Sequence, residues 1–499
     1  MNGLNINYRF PYELLQFLLS KNGNSLLVKG PPGGGKTTIS LQILETLQGK
    51  SNIIYLSTRV GDASLYQQFP WLKGMEKNLR LLVASKLLLE ALSQIQEEEK
   101  PIKEYGRRVL QEMTGEQPKK VPRSGYQKVF QGRQAPEVKR VYDEIEMNLP
   151  NKSVVVIDSV EGITSRFGIR EDQFVSMIQN DLVEGANASI IFVSEKGDIS
   201  PEDYIVDGVI YLYHDVEDGR RKRILKINKL RGVEIFQSSY SYTLYGGKFL
   251  TFYPEEYEKR EITKFEPTKN DNYYSTGIPD LDKMLGNGIR PSSFLTIEIG
   301  KDISMEEIRL LFRPIGLNFL YNDIGIFMIP LGGWNPMRLE KDFTRFIDPD
   351  IFRKKVRYVD YTVEESNIPY VVAAGGKDEQ QVNQRLLRAI LDLTGFENKS
   401  VLNFIGTDTL EYIKGTDNAI KELFHMAQSV KSSSDVAILI VRESQSLKNE
   451  IINISDYYLK LVEIENVPFI YGIKPRIIYH SLIVDRNKGF PNVSLMPMV

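Results

Sequence analysis

The chain has 499 residues, 42% of them hydrophobic and 26% charged, enough to build sizeable cores and about two to four domains. Lys and Arg number 63 against 65 Asp and Glu, and the formal charge of -2 removes any argument for nucleic-acid binding from net charge while leaving a local basic patch open. No cysteine and three histidines exclude disulfides, thiolate nucleophiles, thiolate zinc sites and cysteine-bound iron–sulfur clusters, and argue against a multi-histidine metal centre.

Met1 to Tyr12 contains no apolar run long enough for a signal peptide, and no later segment offers about 18 uninterrupted apolar residues, so a soluble cytoplasmic protein without membrane association is expected. Tyr12 to Leu19 reads as a short apolar helix. Ser25 to Lys29 reads as a buried strand, followed by a glycine loop from Gly30 to Thr37 and a helix from Ile39 to Leu47. Asn52 to Ser57, Ser153 to Asp158 and Ala188 to Ser194 follow as continuously apolar strands separated by helix-length stretches, the pattern of a parallel sheet covered on both faces. From Val206 to Ile227, shorter strands around the charged turn Asp218-Gly219-Arg220 predict an antiparallel extension of that sheet.

Between the second and third strands lies an insertion, about residues 72–150, with a helical piece predicted over Leu79 to Glu98. A basic stretch over residues 107–140 follows, carrying Arg107, Arg108, Lys119, Lys120, Arg123, Lys128, Arg133, Lys139 and Arg140. It is open to two readings: a solvated mobile loop, or an electrostatic contact for nucleic acid or an acidic partner, with Tyr126 and Phe130 available to stack on bases. A charged, Pro-containing stretch over 254–272 reads as a linker between domains at 1–253 and 273–499. The second half then repeats the first. Phe294 to Ile299, Ile324 to Pro330, Val401 to Ile405 and Val436 to Val441 stand for the first four strands. Ser194 to Gly197 matches Arg442 to Gln445, and Asn228 to Gly232 is set against Asp485 to Gly489.

The segment Gly30-Pro31-Pro32-Gly33-Gly34-Gly35-Lys36-Thr37 satisfies G-x-x-x-x-G-K-[ST] between a predicted strand and a predicted helix. Its backbone N–H groups and the helix that follows, Thr38 included, suit the phosphates of a nucleotide, with Lys36 neutralising the β- and γ-phosphates. Thr37 would ligate magnesium. Asp158, a carboxylate at the carboxyl edge of an apolar strand, is the second expected magnesium residue, whereas Glu161 one turn on reads as a surface residue. The expected cofactors are ATP and Mg2+.

In these motifs the chain resembles the RecA-type P-loop ATPases, and more narrowly the KaiC-like branch. The P-loop and Asp158 stand in RecA order, Asp207 to Leu212 with Arg223 to Gly232 is similar to the KaiC strand pair ending in K-x-R-G, and Ser275 to Ile289 is similar to the stretch that opens a KaiC domain. The resemblance implies an α/β fold of two tandem RecA/KaiC-like domains, each a mainly parallel twisted sheet flanked by helices with an antiparallel C-terminal extension. It further implies a homo-oligomer, a hexamer by analogy with KaiC, in which Lys229 and Arg231 reach the nucleotide of the neighbouring subunit.

Two departures qualify the likeness. KaiC-like ATPases place two adjacent glutamates after the second strand to polarise the attacking water, and Thr58 and Arg59 occupy those positions here. Arg59 cannot act as a base and is expected to pair with a phosphate or Asp62, leaving Glu195 as the surrogate for water activation. In the second copy, Gly300 to Glu307 sets Glu306 and Glu307 at the P-loop Lys and Thr positions, where carboxylates repel a triphosphate. Asp408 matches Asp158 without restoring binding, so the second domain is expected to be a pseudo-ATPase. The words Tyr55 to Val60, with Gln68 to Trp71, also resemble a subgroup associated with gas-vesicle regulatory protein D. The leading reading is a slow ATPase whose nucleotide state controls oligomerisation or binding of a regulatory protein partner. A RecA-like DNA-binding accessory ATPase and a non-hydrolysing ATP-sensing adaptor are the alternatives.

Overall fold

The computed structural model describes residues 10–94, 120–131, 133–253, 265–362, 366–376, 379–395, 399–485 and 490–499. The chain divides into two compact units, Met1–Phe252 together with Val499, and Tyr253–Met498.

Among its described residues the first unit is built on one sheet of nine strands: β1 (Ser25–Lys29), β2 (Asn52–Ser57), β3 (Leu79–Val83), β4 (Ser153–Asp158), β5 (Ser189–Val193), β6 (Gly208–Glu217), β7 (Arg220–Leu230), β8 (Ser239–Thr243) and β9 (Leu250–Thr251). Their order is β3-β2-β4-β5-β1-β6-β7-β8-β9. The strands from β3 to β6 in this order pair in parallel, and β6 to β9 are antiparallel. Buried on both faces, β1, β2, β4 and β5 need apolar residues at nearly every position, which is why they read as runs rather than alternations. The antiparallel extension starts at a two-residue turn, where Asp218 and Gly219 both take positive φ (51° and 71°), the geometry that matches strand twist in a tight hairpin.

The helix Pro136–Asn148 buries Val138, Val141, Tyr142 and Ile145, one stripe at helical spacing, while its charged residues face outward or pair. This stripe joins Phe130 and Phe174 in the core on one face of the sheet.

Among its described residues the second unit has ten strands: β10 (Ser293–Ile299), β11 (Gly325–Ile329), β12 (Val356–Asp360), β13 (Val371–Ala373), β14 (Val401–Gly406), β15 (Val436–Arg442), β16 (Tyr457–Ile464), β17 (Val467–Lys474), β18 (Ile477–Asp485) and β19 (Asn492–Pro497). Their order, β13-β12-β11-β14-β15-β10-β16-β17-β18-β19, reproduces the first sheet strand for strand, with β13 added at one edge. Both units are therefore the same α/β design, mostly parallel sheets flanked by helices and closed by antiparallel C-terminal strands, as two tandem RecA-like domains require.

Four expectations need correcting. Leu79–Val83 is a parallel edge strand, not the start of a helix; the helix begins at Ala84. A five-residue strand beside a helix has too short a period signal to separate from it in sequence. Phe265, inside the expected linker, is buried at 5% exposure against Phe490 and Tyr321 in the second unit's core, while 254–264 lie outside the described residues. By sheet order the counterpart of β7 is β17, which ends at Lys474, so Asp485 at the end of β18 corresponds to β8 and not to the Asn228 to Gly232 segment.

The fourth concerns the basic stretch. Arg107, Arg108 and Lys119 lie outside the described residues. Phe130 is 1% exposed, and Tyr126 is tilted against it at 4.9 Å and edge-on to Tyr142 at 5.6 Å, so these rings are core rather than stacking platforms. Arg123 pairs with Asp143 and Glu146, Arg140 with Glu144, and Arg133 donates to the Phe167 carbonyl. Arg123 and Arg140 are thus matched by acids within the fold, while Lys120, Lys128 and Lys139 are exposed, so the described support for a nucleic-acid contact loses its two aromatic rings and two of its cations.

Candidate nucleotide site

In an open α/β sheet, ligands sit beyond the carboxyl ends of the strands where strand order reverses. Here that place is the end of β1, between β5 and β6. The loop leaving β1 turns through Gly30, Gly33 and Gly35 at φ of 147°, 76° and 90°, conformations that side-chain-bearing residues rarely adopt. A Cβ on Gly30 would lie 2.3 Å from the Leu212 carbonyl oxygen of β6, so only glycine lets the loop run that close. The helix Lys36–Leu47 starts directly after it.

Lys36 is buried and donates to the carbonyls of Gly30 (2.6 Å) and Pro31 (2.9 Å), which lays its ammonium along the inside of the loop. Burial holds its pKa below the usual lysine value, with Glu195, Asp158 and Glu161 pulling the other way. Thr37 donates its hydroxyl to Asp158 Oδ2 at 2.7 Å. The helix after β1 and the end of β4 thus bring together the two oxygen-bearing residues picked out as magnesium partners. A hydroxyl and a carboxylate, hard oxygen donors beside a phosphate-sized loop, fit Mg2+, which when bound would neutralise developing phosphate charge.

Several residues of this site carried no motif. Tyr55 on β2 donates to the same Asp158 oxygen at 2.6 Å. Burial pushes the Asp158 carboxyl above its ordinary value, opposed by the Tyr55 and Thr37 hydrogen bonds and by Lys36; the Tyr55 phenol, buried beside that carboxylate, is pushed well above its own. Arg223 on β7 donates to the Gly33 carbonyl at 3.0 Å, and Tyr242 on β8 to Gly34 at 2.6 Å, so the antiparallel extension braces the rim of the loop. Parallel register between β2 and β4 pairs Ser57 with Asp158 and sets Tyr55 two residues back, a relation no linear spacing reveals.

The positions that depart from the family are occupied in ways with physical meaning. Thr58 is buried; its hydroxyl donates to the Asp158 carbonyl (3.0 Å) and accepts from Ser159 N–H (2.8 Å), tying β2 to β4. Arg59 does not pair with Asp62, which pairs with Lys86; it makes an ion pair with Glu195 at 2.5 Å, each side chain about half exposed (50% and 41%). Glu161 is not a simple surface residue: Oε1 accepts from Ser194 Oγ (2.6 Å) and Glu195 N–H (2.9 Å), and Oε2 is buried without a partner. Lys229 caps the short helix Pro201–Ile205 through the carbonyls of Asp203 (3.1 Å) and Val206 (2.5 Å), whereas Arg231, 57% exposed, pairs with Asp207 at 3.0 Å.

The second unit's equivalent loop has a different job. Ser304 and Glu307 form a reciprocal capping box at the start of the helix Met305–Tyr321, so the Glu307 carboxylate and the Ser304 hydroxyl take up N–H groups that a phosphate would need. Glu306 pairs with Arg309, and Asp408 accepts from Gly332 N–H and faces Arg442 at 3.6 Å.

A strand, glycine loop and helix carrying Lys36 and Thr37, with Asp158 two strands away, define a RecA-type P-loop domain. Residues 20–257 match the family model described as "ATPase: KaiC". Across the chain, Protein GvpD2 of Halobacterium salinarum is 24% identical over 511 aligned positions, covering 98% of this chain and 96% of that protein. Protein GvpD1 of the same organism is 27% identical over 355 positions, 69% of this chain and 60% of that protein. The first unit is thus a KaiC-like RecA-type domain, and the chain as a whole is related to the two GvpD proteins. Among the described residues no helix is long and apolar enough to cross a membrane.

Proposed function

We propose that the first unit binds Mg-ATP and hydrolyses it slowly, and that nucleotide state sets assembly or partner binding in a regulatory process. The supporting observation is the convergence of Lys36, Thr37 and Asp158 at one strand-end crevice, with Thr37 Oγ1 2.7 Å from Asp158 Oδ2. Gly30 to Thr38 cradle the phosphates, Lys36 leaves its two carbonyls to neutralise charge, and Thr37 with Asp158 hold the metal. Slowness follows from replacement of both glutamates: Thr58 is structural, and Arg59 holds Glu195, the remaining carboxylate candidate for orienting water. Of the two trans candidates, Arg231 is the one presented to solvent, while Lys229 is engaged inside its own chain. The likeness to the gas-vesicle regulatory subgroup favours a regulatory role over a DNA-acting one, and the internal pairing of Arg123 and Arg140 agrees with that choice.

The test is ATP binding by a fluorescent analogue, with phosphate release and sizing in the presence and absence of ATP. Lys36→Ala is expected to abolish binding, release and any ATP-dependent change in size together. ATP binding retained by that variant, or wild-type size indifferent to ATP, counts against the proposal.

A further inference from the structure

The end of β2 carries no carboxylate: it runs Ser57, Thr58, Arg59. Its hydrogen bonds go instead to the carboxylate residue of the neighbouring strand. Register pairs Tyr55 with Val156 and Ser57 with Asp158, so the Tyr55 side chain spans two residues along the sheet to reach Asp158. Tyr55 is 1% exposed, and its phenol donates to Asp158 Oδ2 at 2.6 Å, the length of a charge-assisted O–H···O⁻ bond. Thr37 donates to the same oxygen at 2.7 Å. Among the described residues no hydrogen bond goes to Asp158 Oδ1, so one carboxylate oxygen is held twice and the other is not held at all.

The same strand end also fixes the Asp158 backbone. Thr58 N–H donates to the Asp158 carbonyl at 2.8 Å, and the buried Thr58 hydroxyl donates to that carbonyl and accepts from Ser159 N–H. β2 therefore grips Asp158 at both ends, the carboxylate through Tyr55 and the following peptide through Thr58. Packing alone does not account for Tyr55, since a phenylalanine would fill the same apolar space without placing a hydroxyl beside a buried carboxylate. Burial and the Asp158 charge keep the phenol protonated, so it stays a donor.

We propose that Tyr55, seconded by Thr58, is the positioning residue of the metal site: it holds Asp158 so that Oδ2 stays with the protein and Oδ1 is the oxygen offered to Mg2+. This role rests on the reading of the first unit as an Mg-ATP site and deepens it. A strand end without a carboxylate of its own serves the carboxylate of its neighbour, and the gain is retention of the metal nucleotide. Removing a partner that orients a metal-binding group lowers metal affinity about 10- to 100-fold.

The test titrates a fluorescent ATP analogue into the full-length protein in excess Mg2+ and again in EDTA, so that the ratio of the two dissociation constants reports the contribution of the metal. Tyr55→Phe keeps the ring in place and should raise the constant in Mg2+ about tenfold while the constant in EDTA holds at the wild-type value. Thr58→Val should move the ratio the same way, and Thr58→Ser, which keeps the hydroxyl, should restore it. An unchanged ratio in Tyr55→Phe overturns the proposal. So does an equal rise in both constants, which reports damage to the glycine loop rather than to the metal site. Equal constants in Mg2+ and EDTA for the wild-type protein refute the metal assignment of Thr37 and Asp158, and the role of Tyr55 with it. If Tyr55→Phe fails to fold, the contrast between Thr58→Val and Thr58→Ser decides alone.

Discussion

If Glu195 orients the attacking water and Arg59 restrains it, breaking their ion pair should speed hydrolysis, and the structure bounds by how much. The pair is short, 2.5 Å, but about half exposed on both sides, and such pairs contribute about 0.2–1 kcal/mol. Arg59→Ala should therefore leave thermal stability almost unchanged. It should return at most that energy to the transition state, a gain of about 1.4- to 5-fold in turnover. Phosphate release at saturating Mg-ATP measures this, with Lys36→Ala as the background. Glu195→Gln should lower turnover whether or not Arg59 is present, since the amide cannot take a proton. A gain in Arg59→Ala that persists when Glu195→Gln is added would refute the coupling, and so would a fall in turnover, which would mean that Arg59 itself contacts phosphate.

Asp158→Asn should abolish Mg-dependent ATP binding while leaving apo-protein stability equal or higher, measured by thermal melts. The sign follows from its raised pKa: a carboxyl above its unfolded value loses stability as pH rises through the folded value, so the ionised group is a net cost at neutral pH. For the same reason Mg-dependent binding should fail on acidification above the ordinary Asp value of 3.8, as read by binding titrations across pH. Thr58→Glu, on family analogy a restoration of a catalytic residue, should instead destabilise by about 3 kcal/mol or more in denaturant melts. It discards two buried hydrogen bonds and forces a carboxylate against Gly162, where even a Cβ would lie 2.1 Å from Thr58 Oγ1. Normal stability with raised turnover would show that the site accepts a base there. Ser304→Ala should cost about 1 kcal/mol by loss of the capping box, without giving the second unit ATP binding.

The corrections share a cause. Tyr126 and Phe130 were legible as aromatics among cations, but only the fold shows Phe130 against Tyr126 and Phe167, with Arg123 spent on Asp143 and Glu146. Leu79–Val83 is too short to declare its period, and its identity as a strand comes from pairing with β2. Glu161 looked like a surface residue because the helix period says nothing of β5, whose end supplies Ser194.

What the sequence determined by itself was the local and the covalent. The glycine loop, Lys36 and Thr37 are contiguous, and their chemistry depends on backbone conformations that glycine alone supplies. Burial on both faces writes β1, β2, β4 and β5 as apolar runs, and the same logic exposed the duplication. Tertiary structure decided what depends on residues far apart in the chain. Parallel register brought Tyr55 to Asp158, strand order brought Arg223 and Tyr242 to the loop's rim, and strand ends meeting at the crevice set Arg59 against Glu195. The physical reason is that these contacts are long-range: their energies are felt only after the sheet has closed, and no pattern along the chain encodes them.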